Sequence, residues 1–209
     1  MSSARSEVVE ELVEAGRHVV DRGLVQASGG NLSARVPGTD RFVVTATGTW
    51  LDRLTPDDFA DLTLDGEHVG GAERPSGEWR LHHRTYTVRP DVAAIVHVHP
   101  QHVVLVDLLG APIRFTTLDH RVYVGGYGRV PFLTSGSVDL AEAAAEAARD
   151  HDAVVLAHHG CSALGDSVSM AVRRALNLEE AAAMTYRLLL AGDTTADFPA
   201  EYRDRIIEA

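Results

Sequence analysis

The stretch AAIVHVHPQH, residues 93–102, joins a run of apolar residues to a group of histidines. The near-continuous apolar run before His97 is typical of a strand that is buried on both faces. Residues i and i+2 of a strand point to the same face, so His97 and His99 are predicted to project side by side. The pair therefore either shares a metal ion or forms hydrogen bonds at the edge of a sheet.

A second apolar segment, DAVVLAHHG, also ends in two histidines, His158 and His159. Buried strands rarely finish in histidine, so the repeated pattern favours a metal site. If the two strands are neighbours, the first pair and one histidine of the second pair converge. Glu78, at the start of a predicted helix, is a candidate carboxylate for the same ion. Zinc accepts imidazole and carboxylate ligands, and a catalytic zinc keeps a position open beside three protein ligands.

The letters HVHPQH also resemble the His-x-His-x-Asp-His motif of metallo-β-lactamase-like hydrolases. Gln101 stands in place of the aspartate, and an amide cannot supply the charged ligand that a second metal ion needs. No further acidic ligands of that pattern are recognisable downstream. The hydrolase interpretation is therefore disfavoured, and His102 is predicted to be a packing residue or a residue at the rim of the site.

The composition excludes several classes of function. The chain has 209 residues, of which 45% are hydrophobic and 23% charged, as expected for one globular domain. Its net charge of -11 predicts that neither nucleic acid nor an anionic membrane is a partner. All 19 basic side chains are arginine, which excludes Schiff-base catalysis, lysine-anchored pyridoxal chemistry and a Walker-type phosphate loop. The lone Cys161 and the absence of an apolar signal segment predict a cytoplasmic setting.

Helices and strands are predicted to alternate along the chain. Residues 6–22 carry apolar side chains at helical spacing, and LTPDDF is expected to begin a helix with Thr55 as its N-cap. Further helices are expected within PSGEWRLHHRTYTVRP, DLAEAAAEAA and SVSMAVRRALNLEEAAAMTYRLLLAG. Strands are expected after the glycine-rich loop QASGGN and within RFVVTATG, DLTLDGEHVGG, DVAAIVHVH and DAVVLAHHG. This alternation predicts a layered α/β domain.

Four segments, taken in order, resemble the class II aldolase/adducin family. They are GLVQASGGNLSAR, VVTATGTWLDRLTPDDFADLTLDG, PSGEWRLHHRTYTVRPDVAAIVHVHP and VVLAHHGCSALGDSVSMAVRRALNLEEAA. The resemblance implies one three-layer α/β/α domain over residues 1–209, built around a mixed, mainly antiparallel sheet. It also implies a ring-shaped homotetramer with active sites between subunits.

The same resemblance implies a particular set of metal ligands. The family's His-x-His corresponds to His97 and His99, and its histidine directly before glycine corresponds to His159 rather than His158. Glu78 matches the glutamate of the family's Pro-Ser-Ser-Glu segment, which is a displaceable fourth ligand and the general base and acid. The implied ion is Zn²⁺, and imidazole sites also accept Co²⁺ or Mn²⁺.

Short turns that contain glycine present backbone N–H groups to anions. The family holds the phosphate of its substrate at positions that correspond to Gly30, Asn31, Thr47, Gly48, Ser76 and Gly77. Aldolases of the family commonly carry a serine at the position of Gly77, so this chain lacks one hydroxyl donor. Either phosphate is held less tightly here, or the substrate carries another anionic group such as a carboxylate.

The segment IRFTTLDHRVYVGGYG, residues 113–128, departs from the family at the second proton donor. Family aldolases take a tyrosine from the adjacent subunit, and no tyrosine stands at the corresponding position of this chain. His120 is the candidate for proton transfer, while Tyr123 and Tyr127 are candidates for a subunit contact.

The metal set and the anion-binding turns together predict a zinc-dependent lyase. Its expected reaction cleaves a small phosphorylated ketose, such as L-fuculose 1-phosphate or a 5-deoxypentulose 1-phosphate, to dihydroxyacetone phosphate and an aldehyde. A divalent ion polarises the carbonyl as a lysine iminium does in other aldolases. A sugar-phosphate 4-epimerase and a keto-acid phosphate decarboxylase are alternatives on the same fold. A non-catalytic adducin-like protein is disfavoured because all four ligand types are present.

Overall fold

The computed structural model describes residues 3–205 and the side chains of residues 3–202. The domain boundaries predicted at residues 1 and 209 lie outside the described residues. The strands are β1 (Asn31–Arg35), β2 (Arg41–Thr45), β3 (Phe59–Thr63), β4 (His68–Gly71), β5 (Ala94–Val98), β6 (Gly128–Val130), β7 (Ala153–Leu156) and β8 (Gly160–Gly165). The helices are α1 (Ser3–Asp21), α2 (Trp79–Val88), α3 (Gln101–Leu108), α4 (Leu118–Tyr123), α5 (Val138–Ala147) and α6 (Val168–Leu190).

The strands form one sheet in the order β4-β3-β2-β1-β5-β8-β7-β6. Neighbouring strands run antiparallel except β6 and β7, which are parallel. The mixed, mainly antiparallel sheet that the family resemblance implied is therefore confirmed. β5 lies between β1 and β8, and each of its residues is buried, as its apolar run predicted.

Helices cover both faces of the sheet and complete three layers. One apolar cluster, which includes Leu12 and Leu178, joins α1, α3 and α6 to one face. A second cluster, which includes Leu81 and Leu140, joins α2 and α5 to the opposite face. The α/β/α architecture expected from the sequence is confirmed by these two separate cores.

The alternation of side chains along the strands sends polar groups to the face that α2 and α5 cover. In β5, Val96 belongs to the core beneath α6 and Ile95 to the core beneath α2. His97 therefore shares the α2 face with Ile95, since side chains alternate along a strand. In the neighbouring β1, Leu32 packs beneath α6, so Asn31 also points to the α2 face. The sheet thus gathers polar side chains close to the N-terminus of α2.

The prediction of a helix that begins at Thr55 is wrong. Only one 3-10 turn, Pro56–Asp58, forms there, and the chain continues directly into β3. The Asp58 carboxylate accepts hydrogen bonds from the backbone N and the Oγ1 of Thr55, both at 2.8 Å, and closes the turn. β3 then pairs with β2 along its length, so sheet pairing outweighs the local signal for a helix start.

The two strands that end in histidine are not neighbours, because β8 lies between them. β8 was not predicted, and neither were β6, α3 and α4. β7 ends at Leu156, and His158 and His159 occupy the tight turn that leads into β8. His158 takes a left-handed backbone conformation with φ 60°, which reverses the chain and returns His159 towards β5.

Within residues 3–205, none of the helices combines the length and the apolar character that crossing a membrane requires.

Candidate metal centre

Four side chains converge just beyond the end of β5: Glu78, His97, His99 and His159. One potential ligand atom from each residue lies within 4.8 Å of the others. The Nε2 atoms of His97 and His99 are 3.1 Å apart. The Glu78 carboxylate lies 3.1 Å from His97 Nε2 through Oε2, and 3.4 Å from His159 Nε2 through Oε1. The three imidazoles therefore present their Nε2 atoms to one small volume.

These separations fit one divalent ion. Ligand atoms bound to zinc at about 2.0–2.1 Å in a tetrahedron lie roughly 3.3 Å from one another. Two imidazole nitrogens that face each other at 3.1 Å need a proton or a cation between their lone pairs. Three imidazoles and one carboxylate form a donor set that suits zinc and related divalent metals. The residues present therefore fit the metal that the resemblance implies.

The strands beside His97 support its orientation. His97 pairs across the sheet with Asn31 of β1 on one side and with Ser162 of β8 on the other. The Ser162 hydroxyl lies 3.4 Å from His97 Nδ1, which leaves Nε2 to face the other imidazoles. Metal-binding histidines commonly have a hydrogen-bonding partner on the second ring nitrogen. Sequence reasoning missed this contact, because Ser162 lies in the strand that was not predicted.

The turn between β7 and β8 separates the two adjacent histidines. His158 is exposed and its ring stands edge-on to Phe132, while the ring of His159 packs against those of His97 and His99. Gly160 follows where the turn meets β5. A Cβ at this position would lie 2.3 Å from the carbonyl oxygen of Val98 and 2.8 Å from Cδ2 of His99. The glycine after His159 therefore lets the turn approach the end of β5 closely.

Gly160→Ala is expected to reduce metal occupancy and to lower the free energy of unfolding by about 1–3 kcal/mol, as overpacking of a core does. The added methyl group has to displace the backbone of β5 or the ring of His99. Gly126→Ala is the matched control, since among the described residues its Cβ would approach the His151 ring alone, at an ordinary 3.7 Å. Chemical denaturation and metal analysis of both variants check this prediction, and equal stability of the two would contradict it.

Electrostatics in the cluster favour an ionised Glu78 carboxylate and neutral rings at His99 and His159. Burial alone would raise the pKa of Glu78, but contact with His97, the charge of His159 and a hydrogen bond from Ser135 hold that pKa well below its ordinary value. Burial, together with the neighbouring His97 and His159, lowers the pKa of His99 to about 4. Burial is also the main cause that lowers the pKa of His159. Neutral imidazole is the form that binds metal, so the rings of His99 and His159 are in the metal-binding form near neutral pH.

Two further side chains hold the Glu78 carboxylate. Asn31 Nδ2 donates to Oε2 at 3.0 Å, and the hydroxyl of Ser135 donates to Oε1 at 2.8 Å. Asn31 is buried, whereas Ser135 lies in the exposed loop before α5. Sequence reasoning missed Ser135, since the letters TSGS before that helix indicate only a cap, and Ser137 takes that role.

His82 is a further residue that sequence reasoning missed. It is completely buried, and its ring contacts the Asn31 side chain through Nε2 and the Ser33 hydroxyl through Nδ1. Burial, followed by the charge of His97, lowers the pKa of His82 to about 3 against the opposing effect of Glu78. The spacing of four residues from Glu78 on one helix was the available signal.

The six predicted anion-binding residues lie at three places: Gly30 and Asn31 where β1 begins, Thr47 and Gly48 after β2, and Ser76 and Gly77 before α2. The last two turns lie against each other, since Thr47 Oγ1 donates to the carbonyl of Pro75 at 2.8 Å and the backbone N of Ser76 donates to Thr45 at 2.9 Å. The Ser76 hydroxyl accepts from the backbone N of Glu78 at 3.2 Å. The structure thus brings these turns to the carboxylate side of the cluster, and phosphate binding by them stays a prediction.

His120 lies outside the four-residue cluster in the part of the chain that the structure describes. Its buried ring sits on α4 with Nε2 3.4 Å from Oε2 of Glu180. Neither ring nitrogen makes a hydrogen bond to any described residue. Burial lowers the pKa of His120, and the nearby Glu180 opposes that effect. A role in proton transfer stays a prediction.

A three-layer α/β/α fold that brings three imidazoles and a carboxylate together beside the end of its central strand is typical of an enzyme class that binds a divalent metal in its active site. The chain belongs to the class II aldolase and adducin family, because the model of the Class II Aldolase and Adducin N-terminal domain matches residues 10–186.

Relatives with known names agree with this family. The chain is 32% identical over 211 residues to a 5-methylthioribulose-1-phosphate/5-deoxyribulose-1-phosphate aldolase of Rhodospirillum rubrum, covering 100% of this chain and 93% of the relative. It is 33% identical over 181 residues to an L-fuculose phosphate aldolase of Methanocaldococcus jannaschii, covering 87% and 97%. The crystal structure of L-fuculose-1-phosphate aldolase from Thermus thermophilus superposes with a TM-score of 0.79 at 29% identity, covering 91% and 99%.

Proposed function

We propose that this chain is a zinc-dependent class II aldolase. It cleaves a small phosphorylated ketose, such as L-fuculose 1-phosphate or a 5-deoxypentulose 1-phosphate, to dihydroxyacetone phosphate and an aldehyde. The observation that carries the proposal is the convergence of His97, His99, His159 and Glu78 on one point. The names of the relatives from Rhodospirillum rubrum and Methanocaldococcus jannaschii support this class of substrate.

Different residues of the chain have different roles in the proposed reaction. A divalent ion held by the three histidines supplies a Lewis acid for the substrate carbonyl. Glu78 carries the proton, and its Oε1, which faces the loop of Ser135, is the oxygen placed for transfer. The turns at Gly30, Asn31, Thr47, Gly48, Ser76 and Gly77 bind the phosphate.

The proposal includes a homotetramer whose active sites lie between subunits. Leu118 and Val122 on α4 and Phe132 after β6 are large apolar side chains that are about half or more exposed in the single chain. Such side chains fit a subunit contact, and α4 also carries His120, the proposed proton-transfer group for a neighbouring site. We further propose that residues 1–209 form one domain that works in the cytoplasm. The lone buried Cys161 fits a reducing compartment.

The purified chain is expected to hold about one divalent ion per subunit, in keeping with a single four-ligand catalytic site. Chelation should abolish cleavage, and added Zn²⁺ should restore it, with Co²⁺ and Mn²⁺ tested beside it. Product analysis on L-fuculose 1-phosphate and 5-deoxyribulose 1-phosphate should find dihydroxyacetone phosphate and an aldehyde. A single isomer would instead identify an epimerase, and carbon dioxide from a keto-acid phosphate would identify a decarboxylase. No reaction with any of these metals would support a non-catalytic protein.

A further inference from the structure

A chain of buried side chains runs from Glu78 along the interface between β1 and α2. Asn31 and Ser33 are two residues apart on β1 and share one face, while Glu78, His82 and Tyr86 are spaced by four along the start and body of α2. Two strand residues advance about 6.6 Å and four helix residues about 6 Å. The two spacings are so similar that alternate residues of the strand meet successive turns of the helix.

Hydrogen bonds connect these residues without interruption. Asn31 Nδ2 donates to Glu78 Oε2 at 3.0 Å, and Asn31 Oδ1 contacts Nε2 of His82. Nδ1 of His82 lies 2.6 Å from the Ser33 hydroxyl, which lies 2.7 Å from the Tyr86 hydroxyl. Asn31, Ser33, His82 and Tyr86 are at most 4% exposed, so water does not substitute for these partners.

The direction of each hydrogen bond follows from the carboxylate at one end. An ionised carboxylate only accepts, so the Asn31 amide must turn its NH₂ group to Glu78 and its oxygen to His82. His82 must then carry its proton on Nε2, which leaves Nδ1 to accept from the Ser33 hydroxyl. The Ser33 oxygen in turn accepts from the Tyr86 hydroxyl. A single arrangement of protons satisfies every group.

We propose that His82 is a positioning residue for Glu78: as the Nε2–H tautomer, selected by Ser33 and Tyr86, it fixes the Asn31 amide so that Nδ2 always faces the carboxylate. Oε2 of Glu78 is thereby held from the buried side. Oε1 accepts a hydrogen bond from Ser135 of the exposed loop and is the oxygen that we assign to proton transfer. The effect on turnover rests on the proposed function, whereas the tautomer and the amide orientation do not.

The tautomer is tested on the metal-free protein by ¹H–¹⁵N correlation spectroscopy of the histidine rings. We expect one neutral ring with a slowly exchanging Nε2 proton, and we expect its signals to disappear in His82→Gln. Tyr86→Phe removes only the last donor and should leave this ring neutral while its proton exchanges faster. A His82 ring protonated on Nδ1, or one that exchanges as freely as exposed histidines, would overturn the proposal.

The positioning role is tested by kinetics of the metal-loaded enzyme. His82→Leu should lower kcat by about 10- to 100-fold, the range known for outer-shell partners of metal sites, with KM almost unchanged. His82→Gln places an amide N–H near the former Nε2 and should recover most of the loss. His83→Gln is the matched control on the same helix, because the His83 ring lies within hydrogen-bonding distance of the carbonyl of Leu64 and does not join the described chain of side chains that ends at Glu78.

Thermal unfolding and zinc titration of each variant show whether it is still folded and still binds metal. A lower kcat in a variant that passes both tests then reports a misplaced Glu78 carboxylate. If His82→Leu unfolds, the comparison of His82→Gln with Tyr86→Phe carries the test. Wild-type kcat in a folded His82→Leu variant, or no recovery in folded His82→Gln, would overturn the proposal. A wild-type enzyme without lyase activity would refute the proposed function instead, and the tautomer measurement would still decide the arrangement of the hydrogen bonds.

Discussion

Glu78→Gln is expected to lower kcat by about 100- to 10,000-fold, the usual contribution of a positioned general acid or base. Glutamine has nearly the shape of glutamate, and its amide oxygen still accepts a hydrogen bond. The amide cannot take up and release a proton near neutral pH. His97, His99 and His159 remain to bind the ion, so metal content should stay near the wild-type level. Steady-state kinetics and metal analysis on the same preparation measure both quantities.

The exposed Glu73 provides the control for this substitution. Glu73→Gln removes the same charge from the segment before α2 and should leave kcat and metal content unchanged. If the Glu78→Gln variant keeps its metal and turns over within tenfold of the wild type, Glu78 does not carry the proton. If metal and turnover fall together, the carboxylate acts mainly as a ligand.

His159→Asn and His158→Asn form a pair of adjacent substitutions with opposite expected outcomes. His159→Asn removes one of three imidazole ligands, and we expect zinc affinity to fall by more than the roughly 10- to 100-fold that outer-shell partners contribute. His158→Asn should keep wild-type affinity, because asparagine tolerates the left-handed conformation with φ 60° and His158 points away to Phe132. Zinc titration with a competing chelator gives both affinities.

Thermal unfolding gives an independent measurement for the same pair. A metal that binds only the folded chain raises the midpoint of unfolding with its concentration. The wild type and His158→Asn should therefore gain stability with added zinc, while His159→Asn should gain little at the same concentrations. The opposite pattern would assign the third ligand to His158 and would contradict the geometry of the turn.

The sequence predicted the parts of the site that depend on local periodicity. The buried β5 confirms the predicted strand around His97, while His99 follows directly after the strand ends and still brings its ring against that of His97. Helix α6 lies within the segment where a long helix was predicted, and the structure shows Ser167 as its N-cap. The choice of His159 over His158 came from the family resemblance, since spacing alone treats the two alike.

The remaining parts depend on contacts between segments that are distant along the chain. Thr55 and Pro56 carry every local sign of a helix start, yet pairing with β2 makes the next residues a strand. His82 was not among the predicted site residues, because nothing in its local sequence identifies Asn31 and Ser33 as partners across the interface. Asn31 was predicted to bind phosphate, and its amide is already engaged by Glu78 and His82.

The two faces of β1 carry different kinds of side chain, and this limits where residues can be inserted or deleted. Leu32 and Ala34 belong to the apolar core, while Asn31 and Ser33 meet the polar groups of α2. Because the period is two, a slip of one residue would exchange these sets and bury polar groups in the core. The glycine-rich segment 26–30 therefore cannot absorb single-residue insertions or deletions by sliding β1. The turn at Gly38, where a Cβ would meet no atom of the described residues within 4 Å, has the open space that such changes require.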